Sequence, residues 1–399
     1  MPAALADLEL PEFDYLDEEL RGPRFDTAME ALAQRGWLAR AGIGVCTLDR
    51  EAGEFFLRSK QVAFPGMTIA RLFGVEEGPL HEEMVRNILH LEGSDHRRLR
   101  NLVNPAFTPR AAARYRPAMR GFLAELWEGA PHELDLVEVL CKPYPALTIA
   151  TVMGAPLADA PRLHEWSNWI QRQFDPPSLV ADRARIEQAV EEFYAWAGEL
   201  LSHRRTTPSD DLISTLIAAE ADGDRLSDVE LVNLVLNVLV GGVDTTQSQL
   251  AQAVRLFAEH PEQWSALRAD PEALARPAVD EVLRHAPITP FTARIVAEEL
   301  EYRGVTFPVG TVVMVAAHTA NREGIGDAFD ITAERDARRA LTFGAGIHYC
   351  LGANLAKAEL EEALVFLAGR VERWELHAEP DYASIQGIYG LDALQVRWR

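Results

Sequence analysis

The chain has 399 residues and a formal net charge of −22, from 39 basic and 61 acidic side chains. A surface this acidic does not favour nucleic acid or an anionic membrane as a partner. Hydrophobic residues make up 48% of the chain and charged residues 25%, which permits a large buried core and argues against disorder. The three cysteines, Cys46, Cys141 and Cys350, are too few and too widely spaced for a disulfide framework.

The first twenty residues are acidic and lack the basic and apolar regions of a secretory signal, so we expect a cytoplasmic protein. The longest apolar stretch, residues 231–243, is too short to cross a bilayer and contains Asn233 and Asn237. It therefore predicts a buried core helix. The basic residues are almost all arginine, a compositional hint of a bacterial source.

Helical periodicity dominates the chain, and strand-like runs are few and short. Helical patterns cover residues 163–174, 191–205 and 262–267, and strand patterns cover residues 43–48, 300–307, 312–316 and 394–398. We therefore expect a mainly α protein with small β-sheets near the N-terminus and in the last third. No linker or internal repeat is apparent, so we predict a single domain over 1–399, with residues 1–34 as its N-terminal extension.

The most specific pattern lies around the last cysteine and reads F-G-x-G-x-H-x-C-x-G. Its members are Phe343, Gly344, Gly346, His348, Cys350 and Gly352, and a helical pattern follows. The two inner glycines let the backbone fold where side chains would clash. A cysteine just before a helix N-terminus is stabilised as a thiolate by the helix dipole and the free N–H groups there. A thiolate is the form that ligates iron.

Three other interpretations of Cys350 compete with iron ligation. A lone cysteine is most often a buried core residue, but the surrounding glycines, aromatic residue and histidine favour a ligand. A dinucleotide-binding loop would need a third glycine where the chain has Tyr349. A zinc site would need a second cysteine or histidine at ligand spacing, which the sequence does not offer.

The loop resembles the haem-binding loop of the cytochrome P-450 superfamily, in its soluble bacterial type. The resemblance extends over roughly residues 35–399, where four separated motifs follow the family's order. It implies the cytochrome P-450 fold, haem b (iron protoporphyrin IX) as cofactor and Cys350 as the metal ligand. It also places Phe343, Gly344, His348 and Gly352 in the haem-binding loop, with His348 at a haem propionate.

A second motif, in the apolar helix, contains Gly241, Gly242, Asp244 and Thr245. Each glycine inside a helix costs about 1 kcal/mol relative to alanine, so two together suggest close approach by something flat or small. The Thr245 hydroxyl can bond back to the Gly241 carbonyl and bend the helix. The alternative is a helix kink with polar residues at its exposed end. By resemblance the two glycines lie over the haem, Thr245 stabilises bound dioxygen and Asp244 gates proton delivery.

The haem propionates require cations or hydrogen-bond donors. His96 and Arg100 stand four residues apart on a predicted helix, and the resemblance places both at propionates, together with Arg294 on a strand. Arginine suits carboxylates through its bidentate geometry, although any one arginine is more often a solvated surface charge.

Glu281 and Arg284 match the family's E-x-x-R pair, to which we assign a structural role. The family usually has a third arginine downstream. Here Ala333 stands at its place, and Arg335 is the candidate substitute.

The resemblance also indicates which residues line the substrate pocket: Asn237, Val240, Pro290, Phe291, Ile388 and Tyr389. Most are apolar, so we expect a small hydrophobic substrate such as a steroid, terpenoid, polyketide or fatty acid. For Asn237 a hydrogen-bonded core amide is an equally good interpretation.

Electrons must come from outside, because the sequence has no flavin or iron–sulfur motif. We expect a ferredoxin and its reductase as donors, dioxygen as co-substrate, and a monomeric enzyme. Residues 97–120 contain seven arginines and no acid, a local reversal of the overall charge. Arg97 and Arg98 are the predicted contacts with an acidic donor, and a solvated basic helix face is the alternative.

Two rival functions stay open at this point. A peroxide-driven haem-thiolate peroxygenase would not need the neighbouring acid and alcohol of Asp244 and Thr245. A non-catalytic haem sensor would need neither that pair nor a basic surface for an electron donor.

Overall fold

The computed structural model describes residues 3–221, 226–334 and 340–399 of the chain. The helices of these residues are α1 Gly22–Ala33, α2 Arg50–Arg58, α3 Gly66–Leu72, α4 Pro79–Arg86, α5 Gly93–Val103, α6 Pro109–Ala113, α7 Arg116–Trp127, α8 Pro143–Met153, α9 Ala160–Gln171, α10 Pro176–Ala181, α11 Arg183–Thr206, α12 Leu212–Ala221, α13 Asp228–Gly242, α14 Asp244–Glu259, α15 Pro261–Ala269, α16 Pro271–His285, α17 Ala317–Ala320 and α18 Ala353–Ala368. The strands are β1 Ala3–Ala4, β2 Leu38–Arg40, β3 Val45–Thr47, β4 Val62–Ala63, β5 Glu133–Asp135, β6 Phe291–Val296, β7 Leu300–Tyr302, β8 Val305–Phe307, β9 Val312–Ala316, β10 Trp374–Leu376, β11 Asp381–Tyr382, β12 Leu391–Ala393 and β13 Gln395–Trp398.

The chain divides into two compact units. The first comprises Met1–Pro65, Asp280–Cys350 and Tyr382–Tyr389, and the second comprises Gly66–Val279, Leu351–Asp381 and Gly390–Arg399. The first unit contains the larger sheet, in the order β2-β3-β9-β6-β4, and a smaller sheet in the order β1-β8-β7. The second unit is mostly helical and contains the sheet β10-β13-β5.

A buried ion pair organises part of the first unit. Arg284 donates from Nε and Nη2 to the two carboxylate oxygens of Glu281, both at 2.8 Å, and also to the carbonyl of Ala328 at 2.8 Å. Glu281 accepts in addition from the backbone N–H of Asp330 at 3.0 Å. This geometry agrees with the structural role predicted for the pair. The proposed third partner, Arg335, lies outside the described residues.

The run 300–307 forms a hairpin rather than the single strand that its composition predicts. β7 and β8 pair antiparallel with Tyr302 opposite Val305. Between them Arg303 has φ 48° and Gly304 has φ 75°, so both turn residues are left-handed. Two consecutive residues with positive φ match the right-handed twist of paired strands, which makes Arg-Gly a workable two-residue turn.

The apolar stretch 231–243 forms most of α13 in the second unit, and ten of its thirteen residues are buried. Ser227 caps the helix through the Glu230 backbone N–H, while the Glu230 side chain accepts from the Ser227 backbone N–H. This confirms the buried core helix. By length and composition alone the stretch Asp228–Glu259 would pass as a membrane span, but 67% of its most apolar window is buried inside the protein, so this is weak evidence for a membrane.

Candidate functional site

The cysteine loop of the first unit is held in a tight conformation by its backbone. Gly344 and Gly346 have φ of 67° and 73°, in the left-handed region. A Cβ on Gly346 would stand 2.4 Å from the carbonyl oxygen of Leu57, so only glycine fits there. The N–H of Cys350 donates to the carbonyl of Phe343 at 2.9 Å and closes the loop. These features confirm the tight turn predicted from the glycines.

The three cysteines lie in different environments. Cys46 and Cys141 are buried, and burial raises the thiol pKa of both well above the ordinary value. Cys350 is partly exposed and lies three residues before the start of α18. A buried thiol resists ionisation, so Cys350 is the cysteine best suited to serve as a thiolate ligand.

Two of the predicted propionate partners lie in the same unit as Cys350. Arg294 is on β6, opposite Val313 of β9, and is buried. Its Nη1 donates to the carbonyl of Ala293 at 2.8 Å. His348 ends the short 3-10 turn Gly346–His348 and is partly exposed. The cysteine loop therefore lies in the same unit as the buried guanidinium of Arg294 and the partly exposed imidazole of His348.

The first-unit residues predicted for the pocket lie at the aromatic core of that unit. Phe291 is buried and packs edge-on against Tyr15 and Phe25, with ring centroids 5.5 and 5.9 Å apart. The Tyr389 hydroxyl accepts from the backbone N–H of Gly22 at 2.6 Å. These contacts give both side chains a packing role, and their contact with substrate stays a prediction, as it does for Pro290 and Ile388.

In the second unit the predicted helix bend is present. The Thr245 hydroxyl donates to the carbonyl of Gly241 at 2.7 Å. Val243, with φ −92° and ψ −71°, interrupts the helix between α13 and α14. The back-bond expected from the sequence is thus confirmed, and it fixes the orientation of the Thr245 hydroxyl.

The two glycines of this bend differ in what surrounds them. A Cβ on Gly242 would stand 2.3 Å from Cδ1 of Ile149, so this glycine makes room for a neighbouring side chain of α8. A Cβ on Gly241 would meet no atom within 4 Å, and the residue is exposed. Packing against Ile149 therefore explains the glycine at 242, whereas close approach of the haem to Gly241 stays a prediction.

Asp244 is buried and points toward α9. Its carboxylate accepts from the hydroxyl of Ser167, and the amide of Asn168 lies 3.4 Å from its other oxygen. Burial raises the pKa of Asp244, while the Ser167 bond and the nearby His164 lower it in part. A buried acid that is hydrogen-bonded to a hydroxyl can take part in a proton relay through that hydroxyl. No sequence motif identifies Ser167 or Asn168 as partners of Asp244.

A second buried carboxyl lies beside this bend. The Thr246 hydroxyl lies 3.5 Å from Oε2 of Glu359 on α18, and the Tyr144 hydroxyl donates to the Glu359 backbone carbonyl at 3.1 Å. Burial raises the pKa of Glu359 well above its ordinary value. The hydroxyls of Thr245 and Thr246 therefore have different partners, although the two residues are adjacent.

The oxygen and the nitrogen of the Asn237 side-chain amide differ in their hydrogen bonding. Its Oδ1 accepts from the backbone N–H of Ile88 at 3.0 Å, whereas its Nδ2 has no hydrogen-bond partner among the described residues. Val240, three residues further along α13, is buried. The paired oxygen therefore supports Asn237 as a core amide. The unpaired nitrogen is compatible with the predicted contact with substrate.

α5 bears the other two predicted propionate partners. His96 is buried on this helix, and Arg100 is partly exposed one turn later, with Nε donating to Oδ1 of Asn104 at 3.0 Å. Gly352, at the other end of the sequence motif, caps the start of α18 and accepts from the N–H of Ala356 at 2.9 Å.

The arginine-rich segment is less positive than its sequence predicts, because distant acids pair with it. Ion pairs join Arg98 to Glu230, Arg114 to Asp210, Arg116 to Glu361 and Glu362, and Arg120 to Glu362. Arg97 and Arg110 are exposed and form no ion pair within the described part of the chain. Of the arginines predicted to attract an acidic electron-donor protein, mainly Arg97 and Arg110 therefore have a charge that is not already paired within the described residues.

A sequence profile of one family, described as cytochrome P450, matches residues 77–383. The luteothin monooxygenase of Streptomyces thioluteus is 36% identical over 98% of this chain and 96% of its own length. The methyl-branched lipid omega-hydroxylase of Mycobacterium tuberculosis is 30% identical over 99% of this chain and 95% of its own. The crystal structure of CalO2 is similar with a TM-score of 0.90 and 29% identity, over 98% of this chain and 99% of that one.

Proposed function

Because the chain belongs to the cytochrome P450 family and is a haem-thiolate monooxygenase, we propose that it oxidises a small hydrophobic substrate with electrons from a ferredoxin and its reductase. In this proposal it is a monomeric bacterial enzyme of the cytoplasm, with the whole chain acting as one domain. The balanced reaction consumes dioxygen, two electrons and two protons, places one oxygen atom in the substrate and releases the other as water.

The residues fit haem b, the cofactor of the family. The one partly exposed thiol, that of Cys350, is the proposed iron ligand. His96, Arg100, Arg294 and His348 are the proposed partners of the propionates, which cationic and N–H-donating side chains would neutralise. Phe343, Gly344 and Gly352 complete the proposed loop contacts. When bound, thiolate-ligated haem supplies the chemistry that activates dioxygen.

The observation that carries the proposal is the Thr245 hydroxyl held on the Gly241 carbonyl beside the buried Asp244. Because the hydroxyl hydrogen is engaged, the oxygen of Thr245 presents its lone pairs to a neighbouring group and can hold a water molecule or a protonated oxygen in place. Asp244, whose pKa burial raises, can relay protons inward along its hydrogen bond with the Ser167 hydroxyl, while the Asn168 amide helps to orient the carboxylate.

A comparison of electron sources separates this function from its rivals. Turnover should require a ferredoxin, its reductase and dioxygen, and hydrogen peroxide alone should give little product. A peroxygenase would show the reverse preference, and a haem sensor would give no product from either. Candidate substrates come from a binding screen read by haem spectra, and hydrophobic compounds are the first choice because relatives include a methyl-branched lipid hydroxylase.

Substitutions around Asp244 should change the pH dependence of turnover. If ionised Asp244 accepts the incoming proton, turnover falls as the pH drops through its pKa. The Ser167 bond lowers that pKa, so Ser167→Ala should move the acid limb of the kcat profile to higher pH. Asp244→Asn should abolish that limb and slow turnover by about 10²-fold. Asn168→Ala removes only the 3.4 Å contact with Asp244, so it should shift the acid limb of the kcat profile less than Ser167→Ala does. Identical acid limbs in wild type and Ser167→Ala would contradict this assignment.

Arg97→Glu should slow reduction by an acidic ferredoxin and leave substrate affinity unchanged. Arg97 is exposed and without an ion pair in the described structure, so its charge is available to a partner. Stopped-flow reduction rates should fall with salt for the wild type, since exposed charges are screened beyond about 10 Å at 0.1 M ionic strength. Arg114→Glu is the matched control, because Asp210 already pairs with Arg114. Equal rates for Arg97→Glu and wild type across a salt series would contradict the docking proposal.

A further inference from the structure

The first unit contains a cavity of about 590 Å³ beside α1, which we call the α1 cavity. Its wall is formed by the second half of α1, the segment that leads into β2, the segment between β3 and α2, and α17 with the loop after it. Cavities that bind small molecules commonly have volumes of about 300–1,000 Å³. Trp37, which is partly exposed, and the buried Leu48 give the wall an apolar part. The α1 cavity therefore has the size and the apolar surface of a small-molecule site.

Acidic side chains outnumber basic ones along this wall. The carboxylates are those of Glu30, Asp49, Glu323 and Asp327, and the one arginine that lines the cavity is Arg322. The Arg322 guanidinium pairs with the Asp327 carboxylate, and its other nitrogens donate to two backbone carbonyls at 3.0 and 2.6 Å. Arg322 is therefore fully engaged and has no donor to offer to an anion in the cavity.

Two of the four carboxylates have no cationic partner within the described part of the chain. Arg303 neutralises Asp49 from outside the cavity. Glu323 accepts only the backbone N–H of Arg50, at 2.7 Å. Glu30 is exposed on α1, and its carboxylate forms no hydrogen bond or ion pair with any described residue. A cleft lined by excess charge of one sign concentrates ions of the other sign, so these two carboxylates favour a cation.

A buried histidine on α17 adds an unpaired polar atom to the wall. The side chain of His318 is 3% exposed, and its Nε2 lies 3.5 Å from Oδ1 of Asp26 without forming a hydrogen bond. Asp26 is one turn before Glu30 on α1, so this nitrogen faces the helix that borders the cavity. Burial lowers the pKa of His318 well below its ordinary value, and the charges of Arg322 and His285 lower it further. The imidazole is therefore neutral, adds no positive charge, and has one nitrogen that can accept an N–H.

The composition of the wall decides which class of ligand fits. An anion would be repelled by the two unneutralised carboxylates. A metal ion is disfavoured, because the described residues hold no group of three or more His, Cys, Asp or Glu side chains that could ligate one. A guanidinium or an ammonium donates several N–H groups to carboxylates, and an aromatic ring attracts both the cation and its apolar stem. We propose that the α1 cavity binds a small organic cation on an apolar stem, with Glu30, Glu323 and Trp37 as its contacts.

This site is distinct from the proposed haem site. None of the proposed haem contacts of the first unit, which include Arg294, His348 and Cys350, lines the α1 cavity. The cation is therefore proposed as a second ligand and not as the oxidised substrate, so this inference does not rest on the proposed function. Its test must exclude binding of the probe at the haem.

The test is a calorimetric titration of the holoenzyme with benzylguanidinium and with benzylurea, its uncharged near-isostere. Saturating 4-phenylimidazole is present in both titrations to occupy the iron and close the haem pocket, and the Soret band is recorded alongside. Benzylguanidinium should bind at one site, without a Soret shift, and about five-fold more tightly than benzylurea, because only the guanidinium is charged. Equal affinities for the two probes, no saturable binding of benzylguanidinium, or binding accompanied by a Soret shift would each overturn the proposal.

Variants of the wall assign the binding to this cavity. Glu30→Gln should weaken the binding of benzylguanidinium about five-fold and leave that of benzylurea unchanged, because it removes one carboxylate charge and keeps the shape. Glu30→Gln combined with Glu323→Gln should weaken it further. Glu18→Gln is the matched control, since Glu18 is exposed in the same unit and does not line the cavity. Circular dichroism and haem content establish that each variant folds. Unchanged affinity in the folded double variant, or an equal loss in Glu18→Gln, would contradict the proposed site.

Discussion

Replacing Cys350 by serine is expected to remove thiolate ligation and to reduce monooxygenase turnover by at least about 10²-fold, or ~2.7 kcal/mol of barrier. With haem bound, the Cys350 thiolate would supply electron density to the iron that supports oxygen activation, and a serine hydroxyl would not replace it. The measurement is the spectrum of the reduced, carbon monoxide-bound protein, which should lose the Soret band typical of thiolate ligation. Haem content should be measured alongside, because the remaining haem contacts can still retain the cofactor.

Cys141→Ala is the control for this experiment. Cys141 is buried and burial raises its thiol pKa, so its loss should leave the thiolate-type band in place even if stability falls. A band that persists in Cys350→Ser would show that the ligand has been assigned to the wrong residue. A band lost in both variants would point to unfolding, which circular dichroism would reveal.

The loop before α18 was predictable because its constraints are local. Two glycines that adopt positive φ, and a helix start at Ala353 after Gly352, follow from neighbouring residues alone. The bond from Thr245 to Gly241 was predictable for the same reason, since both partners lie within one helical turn. The turn at Arg303 and Gly304 was local too, but arginine rarely adopts positive φ, so composition alone predicted one continuous strand.

Features that depend on distant partners could not be read from the sequence. Arg116 and Arg120 pair with Glu362, more than two hundred residues away along the chain. The sequence therefore overstated the positive charge of this segment. Asp244 illustrates the same limit, because its partner Ser167 belongs to another helix and to no recognisable motif. Tertiary contacts of this kind decide the charge and pKa of a side chain without leaving a pattern in its own segment.

Glu83 and Asn233 mark a further limit of sequence patterns. Asn233 interrupts an apolar helix pattern, which is a visible signal, but the pattern says nothing about its partners. Glu83 follows Glu82 in a segment without a recognisable motif, and Asn237, inside the same apolar run, was predicted either to face the substrate or to be a hydrogen-bonded core amide. Only the fold brings α4 and α13 together and buries the carboxyl beside the amides.

Thr245→Ala is expected to uncouple oxygen consumption from product formation. In the structure the Thr245 hydroxyl is fixed by its bond to Gly241, and alanine removes this positioned group with little change in volume. Preorganised polar groups of this kind contribute through positioning and electrostatics. The ratio of product to reduced nicotinamide consumed should fall about ten-fold, equivalent to ~1.4 kcal/mol between the productive and unproductive routes. Hydrogen peroxide should increase correspondingly, while haem binding, substrate affinity and first reduction stay unchanged.

Three further variants identify the hydroxyl as the cause. Thr245→Ser keeps the hydroxyl and should retain most of the coupling, whereas Thr245→Val keeps the shape without the hydroxyl and should resemble Thr245→Ala. Thr246→Ala removes the neighbouring hydroxyl, which lies beside Glu359 instead of Gly241. It tests whether Thr246 also contributes to the coupling of oxygen consumption to product formation. Coupling that is unchanged in Thr245→Ala and Thr245→Val would leave Thr245 as a residue that only bends the helix. In that case Thr246, if its variant uncouples, would be the group that positions the proton donor.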